Sequence, residues 1–258
     1  MELSIDPVIF YAGSFAVRWY LVLEMIAIAL YIILFHFEAR RKGIPVKHVY
    51  ILFGVILVFG LVFGRLMDVA QSPWHYAEAP QRFFSLSEER INGVLAGGLI
   101  GTLLYCALAR LSFWDISDAR VVGIPLAIAI GRIGCFINGC CYGIPCEFPF
   151  AVVYSSPHAL APNGLALYPV QLFQTAWNFG IFTVLWTLRK RLTTSGSLYL
   201  VFLIMFSGGD FFIRFLREDS GVLWNLQFAQ IVDGLIMLAS LAIYTGRRRA
   251  FCTQPHTR

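Results

Sequence analysis

An all-α, polytopic membrane protein is the fold class predicted for this chain, on three observations. Of its 258 residues 58% are hydrophobic and only 14% are charged, at a mean hydropathy of +0.70, which excludes an ordinary soluble domain. Apolar runs repeatedly reach the ~20 residues that cross a bilayer. The basic residues are shared unevenly between the loops that join those runs.

Seven transmembrane helices are predicted, near 15–37, 49–71, 92–112, 117–137, 170–188, 197–216 and 228–245. The first lacks a basic leading region and a small-residue cleavage site, so it reads as a retained helix. No low-complexity segment, long linker or internal repeat interrupts the pattern, and residues 1–258 read as a single transmembrane domain. Arg40, Arg41, Lys42, Lys47, Arg110, Arg120, Arg189, Lys190, Arg191, Arg247, Arg248, Arg249 and Arg258 all fall on one side. The long connection Asn138 to Pro169 on the other side has no basic residue. The positive-inside rule then places the N-terminus outside and the C-terminus in the cytoplasm. The net charge of +5 is a topology signal and implies no nucleic acid.

The remaining basic residues are all arginines: Arg18, Arg65, Arg82, Arg90, Arg132, Arg214 and Arg217. Arg82 and Arg90 belong to the outer loop 72–91. The other five lie on four predicted helices at a similar depth near the outer face. A mid-membrane arginine costs about 2.5–3.5 kcal/mol on insertion scales and marks a functional site by default. A guanidinium is permanently charged and binds a phosphate ester in bidentate fashion. Each arginine taken alone is also explained by snorkelling to the interface or by pairing with an acid. Shared depth across four helices favours a phospholipid site.

The centre of the sequence is Gly131 to Gly143, reading Gly-Arg-Ile-Gly-Cys-Phe-Ile-Asn-Gly-Cys-Cys-Tyr-Gly. It reads as the end of a membrane helix that offers Arg132 and small polar groups to a ligand at the water interface. Its glycines let another surface, protein or lipid, approach closely. Upstream, Asp6-Pro7-Val8-Ile9-Phe10 is a short apolar piece suited to the interface. Arg18-Trp19-Tyr20 follows, with Trp19 and Tyr20 at head-group level and the Tyr20 hydroxyl able to donate to a lipid ester. Glu24 is an intramembrane acid that needs a partner.

Gly60 and Gly64 have the spacing of close helix packing. Four glycines, Gly93, Gly97, Gly98 and Gly101, open the third span; they serve either packing or the approach of an anion to free backbone amides. Asp210 and Arg214 are i, i+4 and predict an internal ion pair, leaving Arg217 available; Asp233 is a further acid expected to be paired. Cys135, Cys140, Cys141 and Cys146 follow C-x4-C-C-x4-C, which matches no familiar zinc spacing. Their outer location permits a disulfide from Cys140 or Cys141 to Cys146. Cys106 is read as inert and Cys252 as a free cytoplasmic thiol. No metal and no cofactor are expected.

These residues together resemble the prolipoprotein diacylglyceryl transferase family over most of the chain. The likeness rests on Asp6 to Phe10, Arg18-Trp19-Tyr20, Gly97-Gly98-Leu99-Ile100-Gly101, Gly131-Arg132-Ile133-Gly134, Phe136-Ile137-Asn138-Gly139, Pro169-x-Gln171-Leu172 and Arg217. The resemblance implies a multi-pass protein of the bacterial cytoplasmic (inner) membrane, a monomer with its active site on the outer face. It implies lipoprotein biosynthesis, in which the diacylglyceryl group of phosphatidylglycerol moves to the lipobox cysteine thiol of a prolipoprotein signal peptide. Glycerol phosphate leaves. Catalytic roles are implied for Arg132, Asn138 and Tyr20. Substrate binding is expected at Arg132, Gly139, Gly97, Gly98, Arg214, Arg217 and Arg65.

The chain also departs from the family pattern. Ala96 stands where the family usually has His, Cys135 where it has Asn, and Cys140 where it has Glu. Asp210 and Arg214 exchange the family's charges, and Tyr168 replaces a His. The expectation is a retained phospholipid site with an altered thiol-activating step. General-base help contributes about 10²–10⁴-fold, so its loss slows a reaction without abolishing it. Two other classes compete: a paralogue that binds phospholipid without the usual catalysis or acts on another acceptor, and a membrane thiol oxidoreductase using Cys140 and Cys141. The second is weakened because no C-x-x-C is present.

Overall fold

The chain starts in extended structure, and its first helix begins later than hydropathy predicts. The computed structural model describes residues 2–13, 15–71, 74, 76, 91–217 and 226–253; Arg82, Arg90 and the side chain of Cys252 lie outside the described residues. After β1 (Glu2–Leu3), strand β2 (Val8–Ala12) turns back at Gly13 into β3 (Phe15–Arg18). Gly13 has φ +65°, which glycine adopts without a Cβ penalty. Val8 faces Arg18 and Ala12 faces Phe15, with a register irregularity between Val8 and Phe10. Asp6 Oδ1 accepts from the Val8 amide at 2.9 Å, an Asx turn that starts the hairpin. The predicted span 15–37 is corrected accordingly. Backbone pairing with β2 takes Phe15–Arg18 out of the helix, so Arg18 sits at a strand end.

The helices are α1 (Trp19–Arg41), α2 (Lys47–Gln71), α3 (Ile91–Leu108), α4 (Phe113–Val121), α5 (Ile124–Asn138), α6 (Val170–Leu188), α7 (Ser197–Ile213) with a 3-10 turn Arg214–Leu216, and α8 (Phe228–Thr253). Each predicted span falls largely on helix. The span 117–137 is broken at Val122-Gly123, ahead of Pro125, which suits a first helical turn because its missing N–H has no partner there. By length and composition, four helices among the described residues are fit to cross a membrane: Trp19–Arg41, Lys47–Ala70, Ser197–Leu216 and Phe228–Arg249. The broken pair Phe113–Val121 and Ile124–Asn138 makes a fifth if counted as one span. α6 is less apolar because it carries Gln171, Gln174 and Asn178, all buried.

The chain divides into two compact units, Phe35–Ala119 and Met1–Leu34 with Arg120–Arg258. In the first, α2 and α3 pack through glycines. A Cβ on Gly93 would overlap the Phe63 carbonyl, and one on Gly97 the Phe59 carbonyl. Thr102 Oγ1 donates to the Gly98 carbonyl at 2.7 Å inside α3. Lys42 bridges Asp118 at 3.2 Å. The Gly-x-x-x-Gly reading as a packing device thus holds, and α3 continues it.

In the second unit, Val121, Val122, Ile181, Leu185, Leu198 and Phe202 form a buried apolar cluster where the end of α4 meets α6 and α7. Gly209 of α7 admits the Trp177 ring of α6, whose Nε1 donates to the Met205 carbonyl at 3.0 Å. The loop after α5 is itself structured. Its strands β4 (Val152–Tyr154) and β5 (Ala166–Leu167) form a sheet of order β1-β4-β5, with β1 parallel to β4. Leu3, Phe136, Val152, Tyr154, Ala161 and Leu167 make its core. The sheet is therefore seated on the last turns of α5.

Gly97→Val is expected to destabilise by about 1–3 kcal/mol, the cost of overpacking a tight contact. A Cβ on neighbouring Gly98 would stand 3.5 Å from Ile56, ordinary van der Waals contact. Thermal unfolding in detergent should therefore show a lowered midpoint for Gly97→Val and little change for Gly98→Ala.

Candidate functional site

The C-terminal turns of α5 gather most of the residues singled out in the sequence. Gly131 and Gly134 face α1. A Cβ on Gly131 would stand 3.0 Å from Glu24 Oε2, and one on Gly134 would stand 3.3 Å from the Tyr20 Cα and ring. These glycines bring α1 close enough for Glu24 to feel the Arg132 charge. Tyr20 lies within electrostatic range of Glu24, Cys135, Cys140 and Cys141.

Helix α5 ends at Gly139, whose φ of +72° is left-handed and whose amide donates to the Cys135 and Phe136 carbonyls. The Cys140 amide also returns to the Cys135 carbonyl at 3.1 Å. This closes the helix in the manner of a glycine C-cap. A side chain at residue 139 would crowd the amides of Leu160 and Ala161, 3.1 and 3.0 Å from its Cβ. Gly139 therefore serves both turn and close approach.

Asn138 is buried, 7% exposed. Its Oδ1 accepts from Arg18 Nη1 at 2.8 Å, and its carbonyl accepts from the Leu160 amide at 3.1 Å. Arg18 reaches the His158 carbonyl at 3.4 Å, and His158 Nδ1 lies 3.0 Å from Asp6 Oδ2. The Val8 amide, and then His158, hold the Asp6 carboxyl below the usual carboxylate range. Arg18 is thus an anchor that orients Asn138. Hydropathy could not reveal this, because the partners lie 120 and 140 residues away.

Cys135, Cys140 and Cys141 come together. Their sulfurs lie within 4.8 Å of one another, and among the described residues this is the one group of thiols, imidazoles or carboxylates close enough to share an ion. The cap makes the cluster. Residue 135 lies in the last helical turn, and the turn at Gly139 folds residues 140 and 141 back over it. Cys141 itself has φ +59°, uncommon for a side chain other than Gly, Asn or Asp and a mark of local strain. The disulfide to Cys146 that the outer location permits is not formed: Cys106, Cys135, Cys140, Cys141 and Cys146 are all free. The Cys141 thiol is pulled below its ordinary value by hydrogen bonds from Cys135 and Cys140, then by the positive fields of Arg132 and Arg217, against its burial. Linear zinc spacings missed the group; the Asn-Gly helix stop between the cysteines was the available clue.

Loop and helix ends are tied around this point. Gln171 Nε2 donates to the Cys140 carbonyl at 2.7 Å. The Gly143 amide donates to the Tyr168 carbonyl at 3.1 Å and the Ile144 amide to the Leu216 carbonyl at 2.9 Å. A Cβ on Gly143 would stand 2.6 Å from that Leu216 carbonyl oxygen and 2.7 Å from Tyr168 Cβ, so the loop docks on the end of α7. Tyr154 donates from its hydroxyl to the Phe136 carbonyl at 2.9 Å; burial raises its phenol and keeps the proton in place.

The other candidates divide. Arg217 follows the 3-10 turn and its charge reaches Cys141 together with that of Arg132. Arg214 forms the expected pair with Asp210 at 2.7 Å and extends it to Asp233 at 3.4 Å, while Gln174 Nε2 donates to Asp210 at 3.0 Å. Two carboxylates already neutralise this guanidinium. Arg65 belongs to the unit Phe35–Ala119, buried at 5% exposure, where Nη1 donates to the Tyr76 hydroxyl at 3.0 Å and Tyr76 donates to Asp68. Gly97 and Gly98 lie in that same unit.

The family model for prolipoprotein diacylglyceryl transferase matches residues 7–245. Among named relatives, a phosphatidylglycerol–prolipoprotein diacylglyceryl transferase of Dehalococcoides mccartyi is 29% identical over 253 residues, covering 96% of both chains. One from Clostridioides difficile is 30% identical over 88% of this chain and 90% of its own. One from Staphylococcus aureus is 32% identical over 95% of this chain and 90% of its own. The match includes the β2–β3 hairpin, α1, the capped end of α5 and the loop seated on it. This chain belongs to the prolipoprotein diacylglyceryl transferase family.

Proposed function

We propose that this protein is a phosphatidylglycerol–prolipoprotein diacylglyceryl transferase that crosses the inner membrane with seven helices, N-terminus outside and C-terminus cytoplasmic. The observation that carries this reading is the gathering of Arg132, Asn138 and Gly139 at the capped end of α5, where the charges of Arg132 and Arg217 both reach Cys141. Two guanidiniums whose charges reach one point suit a phosphodiester.

The substrates are phosphatidylglycerol and the lipobox cysteine of a prolipoprotein signal peptide. Arg132 holds the phosphate and Arg217 adds a second positive charge. The cysteine thiol gives its proton to water, and its sulfur gives an electron pair to the glyceryl carbon that bears the phosphate. The carbon–oxygen bond breaks, and its electrons leave on glycerol phosphate as charge that the guanidiniums stabilise. Such preorganised stabilisation is usually the largest single contribution to rate. Asn138, fixed by Arg18, presents its amide to the reacting head group, and the Tyr20 hydroxyl donates to an ester oxygen. Gly139 lets the head group approach the backbone. In this reading the site faces the outer side of the membrane and the protein acts as a monomer.

In cells depleted of their own transferase, this chain is expected to restore lipoprotein lipidation. Arg132→Ala should lower the transfer rate about 10²–10³-fold, the cost of removing one positioned charge-stabilising donor; Arg132→Lys should retain part of it. Wild-type rates from Arg132→Ala, at equal expression, would refute the assignment.

Because Arg18 acts through Asn138, the two should not be independent. Arg18→Ala and Asn138→Ala are each expected to slow transfer, and the double variant should be little worse than the slower single one. A coupling of about 0.5–3 kcal/mol is typical of directly bonded pairs. Additive losses in a double-mutant cycle would contradict the positioning role.

A further inference from the structure

Three soft donors meet at the end of α5 with no disulfide among them. Cys135 is buried, and Cys140 and Cys141 are half-buried. Their sulfurs lie within 4.8 Å of one another. Three thiolates around one zinc ion at about 2.3 Å would stand about 3.8 Å apart in tetrahedral geometry, so closing the group on an ion needs sulfur shifts of about an ångström or less. The strained φ of Cys141 and the return of the Gly139 and Cys140 amides to the Cys135 carbonyl hold the three in register.

We propose that Cys135, Cys140 and Cys141 form a binding site for one thiophilic d¹⁰ cation, Zn²⁺ being the probe of choice, with a fourth position open to the acceptor thiol. Thiolates select such ions over hard cations. Among the described residues no imidazole or carboxylate completes the group, and three protein ligands plus one exchangeable position is the arrangement of catalytic zinc. The complex of three thiolates with a divalent ion carries one net negative charge, which suits a cluster next to Arg132 in the same helix end.

The role at the fourth position rests on the transferase reading. When the acceptor thiol coordinates, its proton passes to water. The bound sulfur then donates an electron pair to the glyceryl carbon as the carbon–oxygen bond to phosphate breaks. The product is a neutral thioether, a weak ligand, and it leaves the ion. No electron is gained or lost overall. In this scheme the ion supplies the thiol activation, with the three cysteines as its ligands.

The test uses the full-length protein, purified in detergent under reducing, metal-free conditions and titrated with Zn²⁺, and with Co²⁺ as the spectroscopic stand-in. One ion per chain is expected, with thiolate-to-cobalt charge-transfer absorption. Cys140→Ser and Cys141→Ser should each weaken binding at least 10-fold, while Cys106→Ser and Cys146→Ser should leave it unchanged. A lipobox peptide should shift the visible cobalt bands, and its cysteine-to-serine analogue should not. Absence of ion binding by the wild-type protein, or binding indifferent to Cys140 and Cys141, overturns the site. Cobalt bands unmoved by the cysteine peptide overturn the open position. Arg132→Ala should keep the ion and lose transfer, which separates failure of the metal site from failure of the transferase reading.

Discussion

The left-handed turn at Gly139 is the constraint on which the rest of the site depends. It stops α5 one residue after Asn138 and returns the chain over the last helical turn. Without it, Cys140 and Cys141 would not face Cys135, and the amides of Leu160 and Ala161 could not approach so closely. The loop that follows is bound at both ends, by Tyr154 to the Phe136 carbonyl and by Gly143 and Ile144 to Tyr168 and Leu216. A connection of this length would be costly if unstructured. Its small sheet, which recruits β1 from the N-terminus, makes it a rigid cover over the helix end.

Charge is handled differently in different parts of the molecule. Arg214 sits between Asp210 and Asp233, and Arg18 is used to orient an amide. Arg65 is engaged by Tyr76. Arg132 and Arg217 instead act together near the thiol cluster. Two positive fields that converge on one point suit an anionic ligand there. The phospholipid phosphate in the proposed reaction meets that requirement, and glycerol phosphate carries the charge away.

The helical framework was legible from composition and loop charge, because apolar runs of bilayer length leave few alternatives. The hairpin was not. Phe15 to Arg18 are as apolar as the helix they precede, and only pairing with β2 removes them from it. The Asp210–Arg214 pair was readable because i, i+4 spacing is local. The Arg18–Asn138 contact and the β1–β4 pairing join distant parts of the chain, and no local pattern encodes them. The thiol group lay between: its cysteines are close in sequence, but linear metal spacings assume loops and miss a cluster made by a helix cap. The glycines of α3 gave packing as one of two readings, and the Phe59 and Phe63 carbonyls beneath them show that contact.

The claim that carries the account is that Arg132 grips the phosphate of a lipid. The most direct measurement is the affinity of the detergent-purified protein for phosphatidylglycerol, followed by native mass spectrometry alongside an uncharged diacylglycerol control. Wild-type protein should retain phosphatidylglycerol over diacylglycerol, and Arg132→Gln should lose that preference while keeping its fold. Equal retention of phosphatidylglycerol by both proteins would contradict the account.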